Sequence, residues 1–324
     1  MRPELDSDRQ AQRWAARVFL LTVLPVMVLP SALATGEITP SNLRAVGMLP
    51  FIYVFPALAL ANLGALIGSR IRRPTLIQWA ALITLLGLLT PLTARRYFDD
   101  WAVSPALYDA ADGDLVDVAR YLNQVDLTGV TPYVASLHYR HPTLAFLAQD
   151  YAALKWVTGG ETAVFPTATA GLLILPRSAG GGRDWMEAHL ETLALEAAPP
   201  APGNSPAFHA YRIPAGTVPQ LEHPLAIDFG PAVTLRGYEL RAPPRSGGTV
   251  EVLLAWQVNA PTEPGDLLPV AHLVDQWGSG WGSARPFHYP AEQWTPAEVI
   301  VDHLSVPVAP GAPPGAYRIA VGLY

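Results

Sequence analysis

The run VFLLTVLPVMVLPSALA, Val18–Ala34, sets how the rest of the chain is read. It carries no charge, and at roughly 17 residues it sits at the lower limit for a membrane-spanning helix. Pro25 and Pro30 interrupt it, which membrane helices tolerate better than water-exposed ones. A secretory signal peptide is the rival reading: Arg13 and Arg17 make a basic n-region, and Ala32-Leu33-Ala34 a small-x-small cleavage site. Two further uncharged runs, Gly47–Ile67 and Leu76–Leu92, favour the spanning reading. Trp79 and Tyr97 lie near the ends of the third run, where amphipathic rings favour an interface.

Arginine placement predicts the orientation. Arg2, Arg9, Arg13 and Arg17 precede the first run, Arg70, Arg72 and Arg73 separate the second from the third, and only Arg44 lies between the first two. The positive-inside rule then puts residues 1–17 in the cytoplasm and everything after 96 outside a cell membrane. Arg95 and Arg96 argue weakly against this. Composition agrees with a membrane chain, half hydrophobic and only 15% charged, with the apolar excess before residue 95. A net charge of -6 with no basic patch excludes nucleic acid as a partner. Without cysteine there is no disulfide framework, thiolate metal site or cysteine nucleophile. Lys155 is the only lysine.

Beyond residue 96 the pattern is that of a folded, water-exposed chain. Residues 97–180 read as a small α/β domain. Asp112 caps the helix DLVDVARYLNQ, whose Leu115, Val118, Ala119 and Leu122 recur at helical spacing. TPYVASLHY alternates as a strand, Pro142 opens a short helix, and AALKWVTG, ETAVF and GLLILPR make further strands. Residues 181–220 read as a linker with one short helix, DWMEAHLETLALEA. From 221 to 324, VTLRGYELR, GTVEVLLAWQV, LLPVAHLVDQ, AEVIVDHLSVPV and GAYRIAVGLY predict an antiparallel β-sandwich. The last strand stops at Tyr324 without a following partner, so the sandwich is expected to be truncated. The expected fold class is thus membrane α-helical, with about three transmembrane helices over 18–96, followed by the α/β domain and the sandwich.

PSNLRAVGMLPFIYVFPALAL (40–60), RYFDDWAVSPALYDAADGDLVDVARYLN (96–123), PYVASLHYRHPTLAFLAQDYAALKWVTGG (132–160), VTLRGYELR and the 293–324 tail together resemble the C-terminal part of bacterial multi-pass glycosyltransferases of the GT-C type. These are relatives of protein O-mannosyltransferases and of aminoarabinose transferases. The variety most similar is found in Chloroflexi-like bacteria and ends in a β-sandwich. The resemblance implies sugar transfer outside the membrane from a polyprenyl-phosphate sugar. It also implies a catalytic acid in the first outside loop, where this chain has only Glu37 and no acidic pair. No catalytic residue and no cofactor are therefore expected here. Either the chain is a fragment, or a separate catalytic chain works with it, or catalysis has been lost.

Candidate binding residues follow, each beside a plainer role. Arg44 suits a lipid phosphate through bidentate contacts, or simply snorkels to the interface. Adjacent Asp99 and Asp100 suit a divalent cation but lack a third ligand, so no metal is expected. His138, Tyr139, Arg140 and His141 form the densest polar cluster, at the C-terminal end of a strand. They suit the acceptor side of a phosphate or sugar, against the alternative of a hydrogen-bonded strand cap. Trp277, Trp281, Phe287 and Tyr289 suit stacking on carbohydrate, against the alternative of core packing, which is the expectation for Trp294. Membrane lipid, polyprenyl-phosphate sugar and glycan are the expected partners. The main alternative is a non-catalytic membrane-anchored sensor or scaffold that binds glycan or protein, and a structural adhesion module is the third reading. No phosphate-binding glycine loop, hydrolase elbow or glycosidase acid pair is present.

Overall fold

The computed structural model describes residues 3–32, 49–68, 74–179, 185–186, 193–241, 245–261, 267–285 and 289–324. The chain divides into two units, Met1–Arg96 and Tyr97–Tyr324.

The first unit contains helices α1 (Pro3–Ala32), α2 (Leu49–Gly68) and α3 (Pro74–Arg95). The expectation of about three transmembrane helices is overturned. Among the described residues one helix, over Gln10–Leu29, is long and apolar enough to cross a membrane. In α2 the described side chains form an apolar stretch over Leu49–Asn62, short of the roughly 20 residues a span needs. The membrane-helical part of the expected fold class does not stand, and neither does its multi-pass topology. α1 continues through Pro25, and Thr22 Oγ1 donates to the carbonyl of Val18 at 2.8 Å.

The second unit is β-rich. It opens with α4 (Pro105–Ala110), α5 (Gly113–Leu122), β1 (Val130–Ser136), α6 (Pro142–Leu147), β2 (Lys155–Thr158), β3 (Thr162–Pro166) and β4 (Ala170–Pro176). β5 (Ala194–Ala197) and β6 (Phe208–Ile213) complete a five-stranded sheet of order β2-β1-β4-β6-β5. β1 runs parallel to β2 and β4, whereas β6 is antiparallel to both its neighbours. The apolar stripe of α5 is buried as its spacing predicts, with Leu115, Val118, Ala119 and Leu122 all inside. Gly113 starts that helix because a Cβ there would meet the Tyr108 ring at 2.4 Å.

The remaining strands are β7 (His223–Phe229), β8 (Val233–Arg241), β9 (Thr249–Val258), β10 (Pro269–Asp275), β11 (Gly280–Ala284), β12 (Glu298–Pro307) and β13 (Tyr317–Leu323). They form two antiparallel sheets of a sandwich, β3-β12-β9-β8-β7 and β11-β10-β13. β3 is the unexpected member. It lies in sequence between two strands of the α/β sheet, yet it pairs with β12, Thr162 opposite Asp302 and Val164 opposite Ile300.

The segment expected to be a linker with a short helix instead supplies β5 and β6 to the α/β sheet. Within it Trp185 and Met186 are helical and buried, and 180–184 and 187–192 lie outside the described residues. Side chains alternate across the α/β sheet. Val134, Leu172 and Ile174 pack with α5 and α6 in one core. Tyr133, Leu173 and Tyr211, on the opposite face, join the sandwich residues Leu253, Trp256 and Ile300 in a second. The α/β part and the sandwich therefore share one continuous core.

Strand β11 leans closely on this body. A Cβ built on Gly282 would lie 2.1 Å from the carbonyl oxygen of Pro307. Gly282→Ala is expected to destabilise by about 1–3 kcal/mol, as overpacking does. Urea unfolding checks this, and an unchanged midpoint would show that β11 shifts freely.

Candidate functional site

The residues at 138–141 sit where β1 ends and α6 begins. Ser136, buried at the end of β1, accepts from the backbone N–H of His138 at 3.3 Å. Arg140 has φ +56°, a left-handed conformation uncommon for a side-chain-bearing residue. His141 is the N-cap of α6, its Nδ1 accepting from the Thr143 N–H at 3.3 Å, with Pro142 at the first helical position. An accepting Nδ1 leaves the neutral ring's proton on Nε2, which lies 3.9 Å from Asp112 Oδ2. Asp112 is itself left-handed, makes no side-chain cap on α5, and instead accepts from Thr143 Oγ1 at 3.1 Å. His141 is thus a buried capping residue, and its ring lies 6.0 Å from that of His138.

Tyr139 and Arg140 point elsewhere. The Tyr139 hydroxyl donates to Glu292, which sits on a 3-10 turn, Ala291–Gln293. The Arg140 guanidinium lies 3.9 Å from the same carboxylate and 5.0 Å from the Tyr139 ring centre. Burial first, then the hydrogen bond to Glu292, holds the Tyr139 phenol above its ordinary pKa, while the Arg140 charge opposes this. A phenol, a guanidinium and a carboxylate therefore share one exposed spot. They come from stretches 153 residues apart.

Beneath them lies a buried brace. Glu298, only 2% exposed, accepts from Tyr133 Oη at 2.8 Å, Tyr289 Oη at 3.1 Å and the Thr295 N–H at 3.0 Å, and it pairs with Lys155 Nζ. The one lysine of the chain is spent on this contact. Burial, reinforced by the Glu298 charge, raises the pKa of both phenols far above the ordinary value, so they act as donors and not as bases. Gln293 closes the outer edge of β2: its Oε1 accepts from the Trp156 N–H at 2.7 Å and its Nε2 donates to the Trp156 carbonyl at 2.9 Å. The brace fixes the turn that carries Glu292.

The four aromatic candidates separate. Trp277 is 76% exposed, at the tip of the β10–β11 hairpin. Asp275 holds that tip: Oδ1 accepts from the backbone of Trp277 at 2.9 Å and Ser279 at 2.8 Å, and Oδ2 accepts from Trp281 Nε1 at 2.9 Å. These bonds, the indole's first, hold the Asp275 carboxyl below its ordinary pKa. Trp281 is half-buried against the core, so it anchors the hairpin. Tyr289 is 6% exposed and belongs to the brace, which removes it from any stacking surface. Trp294 is buried, its Nε1 donating to the Tyr289 carbonyl at 3.1 Å. Phe287 and Arg44 lie outside the described residues.

Asp99 and Asp100 lie on a π-helical turn, Arg96–Trp101. Among the described residues no group of three His, Asp or Glu side chains is placed to hold a metal ion. Sequence reading missed Glu292, Glu298, Lys155 and Tyr133. The single lysine was their one local signal, since the rest depends on pairing across more than 100 residues. Comparison with family models, curated proteins and solved structures finds no match to this chain.

Proposed function

We propose that this chain engages carbohydrate, free or carried on a polyprenyl phosphate, at the outer face of a membrane to which its N-terminal helix anchors it. On this reading it performs no transfer by itself. Catalysis resides in residues or a chain outside it, as the resemblance to the C-terminal part of GT-C glycosyltransferases implies. The supporting observation is the meeting of Tyr139 and Arg140 with Glu292. An exposed Arg–Glu pair contributes only about 0–1 kcal/mol, so the guanidinium exchanges readily to a phosphate or sugar oxygen. The carboxylate accepts from sugar hydroxyls. Trp277, held out by Asp275, offers a flat apolar face that suits a sugar ring.

The test is calorimetric titration of the full chain, in nanodiscs, with a polyprenyl-phosphate sugar and with soluble oligosaccharides. Arg140→Ala is expected to weaken binding about tenfold, a loss of about 1.4 kcal/mol. Trp277→Ala is expected to weaken it severalfold with an unchanged melting temperature, because the ring supports nothing else. Absence of saturable binding to both probes, or wild-type affinity in both variants, would sink the proposal.

A further inference from the structure

His303, on β12, stands between two carboxylates. Its Nδ1 meets Glu161, in the turn that leads into β3, and its Nε2 lies 2.7 Å from Glu251 Oε2, on β9. The imidazole side chain is 13% exposed, the two carboxylate side chains 33% and 30%. The Trp185 ring stacks on the imidazole at 5.4 Å and 27°. Trp185 Nε1 donates to the Gly160 carbonyl at 3.1 Å, and the backbone N–H of His303 donates to the Glu161 carbonyl at 2.8 Å. Stretches far apart in sequence, around 161, 185, 251 and 303, therefore meet at one ring.

A neutral imidazole has one N–H and one lone pair. It can donate to one of these carboxylates, and it then turns its lone pair on the other. Only the doubly protonated ring satisfies both, through charge-assisted bonds. A cation over the face of an indole is attracted as well. The two carboxylates are not equal. Glu251 also accepts from Ser305 Oγ at 2.7 Å, and it lies opposite Arg241 of β8, which pairs with Glu239 at 3.0 Å. The Glu161 carboxylate has no partner but His303 among the described residues. Asp302, the neighbour on β12, points to the other face of the sheet by strand alternation and meets Thr162 there.

We infer that Glu161, His303 and Glu251 are a proton-operated clasp, in which the doubly protonated ring ties the 159–161 turn to the sandwich and loss of one ring proton releases Glu161 and loosens that turn. The clasp is whole on the acid side and fails as pH rises. Glu161 is the arm that lets go, because Glu251 keeps Ser305 as a donor. The turn abuts the loop that carries Tyr139 and Arg140: the Gly159 N–H donates to the Ser136 carbonyl at 2.9 Å, and Ser136 Oγ accepts from the His138 N–H.

Hydrogen exchange read by mass spectrometry tests this in the full chain, in nanodiscs. The parent carries Asp302→Asn, so that the buried carboxyl adds no pH dependence of its own. From about pH 5 to 9, a range that covers ordinary histidine titration, protection of peptides spanning 158–163 should fall at least tenfold after correction for the intrinsic rate. Peptides from β4 should keep theirs, since the opening is local. His303→Gln should show the low protection at both ends of the range. Glu161→Gln, whose amide can donate to the lone pair of a neutral ring, should stay protected at pH 9. Protection of 158–163 that does not change with pH, or that changes as much in either variant as in the parent, would overturn the clasp. Glu161→Gln replaces one partly exposed oxygen, so it carries the test alone should His303→Gln fail to fold.

Discussion

Exchanging Glu298 for alanine is expected to destabilise the protein by about 3–5 kcal/mol, the range for breaking a buried ion pair from one side. The Tyr133 hydroxyl loses its acceptor, and the Lys155 ammonium, with its side chain 17% exposed, loses its counter-charge and keeps only Thr295 Oγ1 at 2.9 Å. For a body of this size the melting temperature should fall by roughly 6–20 °C. The triple variant Lys155→Met, Tyr133→Phe, Glu298→Leu removes the charges and the orphaned hydroxyl together, and it should regain most of the loss. Calorimetry of the two variants decides. A loss below 1 kcal/mol in Glu298→Ala would mean that the brace is solvated and does not fix the turn bearing Glu292.

Stability should also fall as pH rises from about 4 to 6, because of Asp302. This carboxyl is buried on β12, and its one hydrogen bond is from Thr162 Oγ1 at 2.6 Å. Burial pushes its pKa up to about 6 from 3.8, and the Thr162 bond opposes this only in part. The folded state thus holds the proton more tightly than the unfolded state. The stabilisation is fully present below pH 4 and is lost through pH 6, by about 3 kcal/mol in all. Asp302→Asn keeps the acceptor for Thr162 without a charge to bury, so it should be the more stable protein at pH 8 and lose that advantage near pH 4. Denaturant midpoints at the two pH values give the difference. An equal difference at both would show that Asp302 stays neutral, or stays charged, throughout.

The strands that sequence reading placed best are those whose alternation is strong and whose neighbours are simple. VTLRGYELR coincides with β8, and β9, β10, β12 and β13 fall within a residue or two of their expected ends. β7 was missed because Pro224 and its mostly exposed side chains give no buried face to alternate with. β5 was hidden in LALEA, whose leucine, alanine and glutamate favour a helix, because tertiary pairing with β6 overrode propensity. β3 was recognised as a strand but not its sheet, since a local pattern cannot say which ladder a strand joins. The helices of the first unit were read from absence of charge alone. Among the described residues one helix, over Gln10–Leu29, is long and apolar enough to span, which contradicts the inference of three. Of the candidate site, Tyr139 and Arg140 were legible as a polar cluster and Trp277 as an exposed ring. Their partner Glu292 was not, because it lies 153 residues away.

The borrowing of β3 has a consequence for how the protein is made. Thr162 must meet Asp302, 140 residues further along the chain. At ribosomal speeds of about 5–20 residues per second, β3 is synthesised on the order of ten seconds before its partner strand exists. During that interval Ala163, Val164 and Phe165, all buried in the finished protein, have no ladder to join. The nascent chain therefore passes through a window in which a complete helical layer coexists with an unsatisfied, aggregation-prone strand, and only release of β12 closes it.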